Sequence, residues 1–173
     1  AETHDNDRLA VVSRRYARMR TGLAALASHG GAWGIHCGVE WFATEKVSVY
    51  GKASISWENP ANQVEWIGQL NQLITLHPSF AANAGIAWID LNNPSMIGLR
   101  RHAAHGDDSV LVLINMDTSH WQRAEWSDLR CPWDLLSDEF VLPQAEGERH
   151  VLWLEPGQIR CLDTKPSVSL VRR

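Results

Sequence analysis

The stretch AWGIHCGVEW, residues 32–41, decides the fold. It reads as a short, largely buried strand ending at Gly38, without the strict alternation of a strand that has one wet face, as expected of a strand covered on both sides. Helix patterns flank it. On one side Leu9, Val12, Tyr16, Met19, Leu23 and Leu26 recur every three or four residues, with Arg14, Arg15, Arg18 and Arg20 mostly off the stripe, and SHGG at 28–31 stops the run. On the other side, after an irregular stretch to Trp57, Asn59 and Pro60 look like a cap and first position. Val64, Ile67, Leu70, Leu73 and Ile74 then form a second stripe with Trp66 at its edge, and His77-Pro78 ends it. One parallel strand between two helices cannot bury itself. It wants neighbours from a larger α/β sheet, so this part is expected to be the tail of a domain whose beginning lies elsewhere.

The pattern changes after residue 80. GIAWIDL (85–91), IGLRRHA (97–103), VLVLINM (110–116), HWQRAEW (120–126), HVLWLEP (150–156) and QIRCLDT (158–164) read as strands separated by turn-like NNPS, HGDDS and EPGQ. Short strands with such turns imply an antiparallel sandwich. The boundary falls near residues 78–84. The expected fold class is therefore α/β followed by all-β, with domains at 1–79 and 80–173.

The chain has 173 residues and a formal charge of −4, which argues against nucleic-acid binding as the main task. No apolar run is long enough to span a bilayer. The three cysteines, Cys37, Cys131 and Cys161, show no metal spacing, although one remote pair could bridge. A reduced, cytoplasmic setting is the expectation. Nine Trp is many for this length; indoles fill cores or stack on sugar rings, and composition does not choose. Trp88, Trp121, Trp126, Trp133 and Trp153 read mostly as core or sheet surface before ligand platforms.

The chemistry-bearing piece is AETHDNDRLA, residues 1–10, where His4 and Asp5 directly precede a helix. In a parallel α/β unit that loop lies at the carboxyl ends of the strands, where active sites collect. A carboxylate there can stabilise developing positive charge, an imidazole can donate to a hydroxyl, and Arg8 is close enough to pair with a carboxylate. Locally, Asp5 or Asp7 as a plain helix cap is the stronger reading. Glu40, after the strand, serves equally well as a site residue or a cap. His29 reads as a helix-end residue, His36 is ambiguous, and His102 and His105 read as surface. No GxSxG, phosphate loop or HExxH occurs. Glycoside cleavage needs two carboxylates, and spacing gives no support for Asp5 with Glu40 as that pair.

ETHDNDR resembles the fourth conserved segment of the α-amylase superfamily, glycoside hydrolase family 13, with its His-Asp pair at the end of the seventh barrel strand. GAWGIHCGVEW resembles the eighth strand and its loop, and WIGQLNQLITLHPSF the last barrel helix. SVLVLINMD, DLLSDE and LEPGQIRCL resemble pieces of the sandwich C-domain. Trp33, Gly34 and His36 depart from the Pro and aromatic residues of many amylases, and residues 42–60 are not diagnostic. The resemblance implies the last units of a (β/α)8 TIM barrel followed by an antiparallel β-sandwich, from a retaining enzyme acting on α-1,4-linked glucans by hydrolysis or transfer. It implies that Asp5 is the third catalytic carboxylate, a transition-state stabiliser, that His4 contacts the same sugar, and that Asn6, Asp7 and Glu40 line subsites while Arg8 braces the loop. The nucleophile and acid/base would lie on earlier strands, so the isolated chain is expected to be inactive. The partners implied are a malto-oligosaccharide or α-glucan and the N-terminal remainder of the barrel. No cofactor is expected; calcium occurs in some relatives, but no ligand set is visible. The alternative is a noncatalytic carbohydrate-binding or structural β-sandwich module.

Overall fold

The computed structural model describes residues 2–3, 6–47, 50–51, 54–127 and 131–165. His4 and Asp5 lie outside the described residues. The first helical stripe is split in two. Helix α1 (Leu9–Val12) stops at Ser13, whose extended backbone (φ −173°, ψ 157°) interrupts the run. The Ser13 hydroxyl accepts from the Tyr16 N–H at 3.0 Å and so caps α2 (Arg14–Leu26). Because of this break the expected stripe is displaced: Ala17, Met19, Thr21, Gly22, Ala25 and Leu26 are buried, while Val12 is exposed. Helix α3 (Val64–Leu76) buries Trp66, Ile67, Leu70, Leu73 and Ile74. It begins later than the cap expected at Asn59. That side chain instead accepts from the Ala61 N–H at 3.1 Å and turns the chain ahead of the helix. His77 caps the end of α3, and Pro78 opens a short 3-10 turn (Pro78–Phe80).

The strand expected at 32–38 is not a strand. After a 3-10 turn (His29–Gly31) the backbone runs without ladder partners to a tight turn at Gly38 (φ +90°) and a second 3-10 turn (Val39–Trp41). Ala32, Gly34, Ile35 and Cys37 are exposed rather than buried. The physical reason is plain: a parallel strand is held by the strands beside it, and none of the described strands lies there. No closed barrel forms among the described residues.

All six strands read from the sequence form: β1 (Gly85–Ile89), β2 (Met96–His102), β3 (Ser109–Asn115), β4 (Gln122–Trp126), β8 (Arg149–Leu154) and β9 (Ile159–Asp163). Three short ones escaped it, β5 (Trp133–Asp134), β6 (Glu139–Phe140) and β7 (Gln144–Glu146), being too brief to show alternation. They build two antiparallel sheets, ordered β1-β2-β3-β9-β5-β6 and β4-β8-β7. The larger sheet is covered on both faces. Val110, Val112 and Ile114 of β3 join Leu99, Ile159 and Cys161 in a core with Met19, Leu26, Trp66, Leu70, Leu73 and Phe80 from the helical layer. Leu111 and Leu113 point the other way, into a second core with Ala124, Trp126, Leu154 and Leu162. The architecture is thus a mixed helical layer followed by two antiparallel sheets.

Two polar contacts pin the helices to the sheet. Arg101 of β2, 1% exposed, donates to the carbonyls of Leu26 (3.0 Å) and Ser28 (2.8 Å) past the end of α2, and to Ser79 O at 3.0 Å. Its guanidinium sits 4.4 Å from the Phe80 ring centroid. These carbonyls carry the negative end of the helix dipole and so accept a buried cation without a carboxylate. At the end of α3, His77 Nδ1 accepts from the Ser79 N–H at 3.2 Å, which leaves Nε2 to donate to Asp163 of β9 at 3.0 Å.

Arg101→Met should lower the unfolding free energy by about 3 kcal/mol, because buried carbonyls lose their donor. Urea titration should show a lower midpoint at constant m value; an unchanged midpoint refutes the role. Burial by itself raises the Asp163 carboxyl, but the hydrogen bonds from His77 and from the backbone of Lys165 and Thr164 outweigh it and hold its pKa below the ordinary value. A depressed carboxylate contributes stability above its unfolded value of about 3.9 and loses it as pH falls through the folded value. Asp163→Asn should therefore flatten the acid limb of the stability curve below about pH 5. Parallel acid limbs in urea titrations of the two proteins would contradict this.

Candidate active site

Arg8 ties Glu2 and the start of α1 to the loop at 36–43. It precedes α1, and its side chain is almost wholly buried beside the equally buried carboxylate of Glu2, with Nε 3.1 Å from Glu2 Oε2. Glu2 Oε1 also accepts from the Leu9 N–H at 2.7 Å, which satisfies one free amide at the start of α1. The other side of the guanidinium serves the loop after residue 35. Nη1 meets His36 Nδ1 at 2.8 Å, Nη2 donates to Cys37 O at 3.0 Å, and Nε reaches Ala43 O at 3.3 Å. Arginine only donates, so His36 accepts through Nδ1 and carries its proton on Nε2.

This arrangement needs a glycine at position 38. A Cβ there would stand 2.9 Å from Arg8 Nη2 and 3.0 Å from both Ala43 and Ile55, and the left-handed backbone favours glycine independently. Glu40 closes the same turn: its Oε2 accepts from the Gly38 N–H at 3.0 Å. Beneath it Gln63, 1% exposed, donates from Nε2 to Val39 O (2.8 Å) and to Thr21 Oγ1 (3.3 Å), while its N–H reaches Glu40 O at 2.8 Å. The turn, α2 and the start of α3 are therefore one hydrogen-bonded unit.

The structure brings Arg8, His36, Gly38 and Glu40 together. Asn6 and Asp7 are exposed on the leading segment, and His29 is exposed at the end of α2. In the chain, Glu2 and Arg8, whose side chains are buried, stand on either side of His4 and Asp5, which lie outside the described residues. Sequence reasoning missed Glu2 and Gln63. Asp5 and Asp7 are nearer to Arg8 in sequence than Glu2 is, and nothing local marks a glutamine as buried. The only available signal was that an arginine, if buried, needs acceptors for its N–H groups, which either a carboxylate or backbone carbonyls can supply. All three cysteines are free, with Cys161 fully buried and its thiol pushed well up by burial. Among the described residues no group of three or more His, Cys, Asp or Glu could hold a metal ion, and no helix is long and apolar enough to cross a membrane.

No protein-family model and no curated protein matches the chain. Solved structures do. A noncanonic maltogenic α-amylase, AmyB from Thermotoga neapolitana, superposes with TM-score 0.70 at 16% identity over 94% of this chain and 39% of its own. The γ-CGTase of alkalophilic Bacillus clarkii gives TM-score 0.70 at 19% identity, over 97% of this chain and 26% of its own. AmyP in complex with maltose gives 0.66 at 17% identity, over 90% and 36%. The chain spans about two fifths or less of the structures it matches. At these identities the likeness is one of fold: helical layer and both sheets together share the architecture of part of several α-amylase-type enzymes.

Arg8→Met should cost about 3–5 kcal/mol, because Glu2 is left buried without its counter-charge. Adding Glu2→Gln should recover part of that loss. A double-mutant cycle in urea that closes to within about 0.5 kcal/mol of additivity would show that the pair is not coupled.

Proposed function

We propose that this chain is the closing part of a retaining enzyme acting on α-1,4-linked glucans, a hydrolase or transglycosylase of glycoside hydrolase family 13. The observation that carries the reading is the fold likeness. It covers nine tenths or more of the chain, against structures that include an enzyme named as a maltogenic α-amylase and AmyP in complex with maltose and with maltotriose. Residues 1–79 are the last units of the barrel, and residues 80–173 are its sandwich C-domain. The unpaired 32–38 segment, with Ile35 exposed, takes its neighbours from the remainder of the barrel.

In this reading Asp5 binds hydroxyls of the sugar at the cleavage point and strengthens its hold as the ring becomes oxocarbenium-like, and His4 contacts the same sugar. Arg8 fixes the start of α1 against the His36–Ala43 loop, so the intervening residues are presented from a rigid base. Asn6, Asp7 and Glu40 border neighbouring subsites. A nucleophilic Asp and an acid/base Glu are supplied by the remainder of the barrel, and these 173 residues alone do not turn over glucan. The shared core of helices and sheet gives residues 80–173 a structural duty as well: they seal the helical side of the barrel units.

Asp5→Asn, made in the enzyme with its complete barrel, should lower kcat on short α-1,4-glucans by about 10²–10³ with little change in KM, the size of a lost transition-state contact. Near-normal turnover would refute the assignment.

A further inference from the structure

Among the described residues no layer covers the outer face of the β4-β8-β7 sheet, yet it is not a simple solvated face. Trp153 of β8 stands opposite Arg123 of β4, and Trp121, one residue before β4, falls by alternation on the same side, diagonal to Trp153. Their exposures are 53% and 56%, far more than sheet packing requires. The chain that carries Trp121 is held firmly. Buried Asn115 donates to the carbonyls of His120 and Glu155 at 2.9 and 2.8 Å. Asp117 accepts from the N–H groups of Ser119 and His120 at 2.8 and 3.1 Å, and from Gln122 Nε2 at 3.1 Å.

Further along the face the aromatic rings give way to a lattice of ion pairs. Arg123 bridges Glu125 and Glu146, and Arg149 also meets Glu125. These three ion pairs run in a row, Glu146–Arg123–Glu125–Arg149, so two cations and two anions compensate one another. The face then opens into a cleft of about 260 Å³ lined by Asp90, Asn92, Glu125, Trp126, Ser127 and Arg149. From Trp121 to Ser127 the strand covers about 20 Å at strand rise.

We propose that this face, from Trp121 and Trp153 to the cleft at Asp90, Asn92 and Arg149, is a noncatalytic binding site for a linear α-glucan. The ligand class follows from the mixture. Indole faces accept the C–H faces of sugar rings, while fixed carboxylates, guanidinium groups and amides exchange hydrogen bonds with ring hydroxyls. A row of mutually compensated charges offers little hold to an ionic ligand, and Asp90 in the cleft adds one more acceptor for hydroxyls. A flat protein partner would have to strip water from these paired ions without replacing it, whereas hydroxyls take the place of that water. The length of the face suits a chain rather than a single sugar. The glucan identity rests on the proposed function; the position of the site rests on the geometry alone.

Affinity electrophoresis of the whole protein through gels containing amylopectin, xylan or no polysaccharide tests both points, using wild type, the double variant Trp121→Ala/Trp153→Ala, and Arg149→Met. Amylopectin should retard wild type. The double variant should lose at least tenfold in affinity and Arg149→Met severalfold, the double variant with a urea midpoint close to wild type, since neither indole belongs to either core. Equal retardation of wild type and the double variant overturns the site and leaves the proposed function standing. Tryptophan-dependent retardation by xylan but not amylopectin overturns the glucan assignment in both. No retardation in any gel overturns the site, as does light scattering that shows a dimer abolished by the same two substitutions.

Discussion

Strand β3 must be apolar on both faces, and the rest of the molecule is arranged around that constraint. Val110, Val112 and Ile114 need a helical layer above them, and Leu111 and Leu113 need a second sheet below. Removing either cover would expose a row of aliphatic side chains, each worth about 1.5–3 kcal/mol of burial. The helices are therefore not an appendage to the sandwich. Met19, Leu70 and Phe80 are as fully part of the core as the strands they cover.

Polar contacts set the geometry within that core. Arg101 fixes where α2 ends by collecting carbonyls that have no partner inside the helix, and the His77–Asp163 pair fixes where α3 ends. Arg8 does the same for the opposite end of the helical layer, joining the start of α1 to the loop at 36–43. In each case a group that would be costly to bury alone is satisfied by backbone or by one opposite charge. The candidate active-site edge thus rests on buried hydrogen bonds, while the outer face of the small sheet pairs its charged groups with one another.

The two proposed roles sit on different elements and depend on different physics. At the leading segment, buried contacts hold Glu2 and Arg8, the residues on either side of His4-Asp5 in the chain. The β4-β8-β7 face instead sets exposed indoles beside a row of paired ions. The position of the second site is independent of the first, whereas the glucan proposed for it is not.

The sequence alone determined the elements whose patterns are long. The α3 stripe and the six main strands were legible because side-chain periodicity reports burial directly, and the stops at SHGG and His77-Pro78 were legible because Gly and Pro act on the local backbone. It determined neither the break at Ser13 nor the late start of α3, which depend on which face the sheet will accept. The 32–38 stretch shows the limit most clearly. Its residues suit a buried strand, but a strand exists only with neighbours to bond to, and that is decided by tertiary context. The site divides in the same way. Arg8 and Glu40 stood out as charged residues beside a motif, whereas Glu2 and Gln63 became partners only through the fold, as did the shared face of Trp121 and Trp153. Hydrogen-bond partners distant in the chain leave no periodic trace, so only the folded structure selects them.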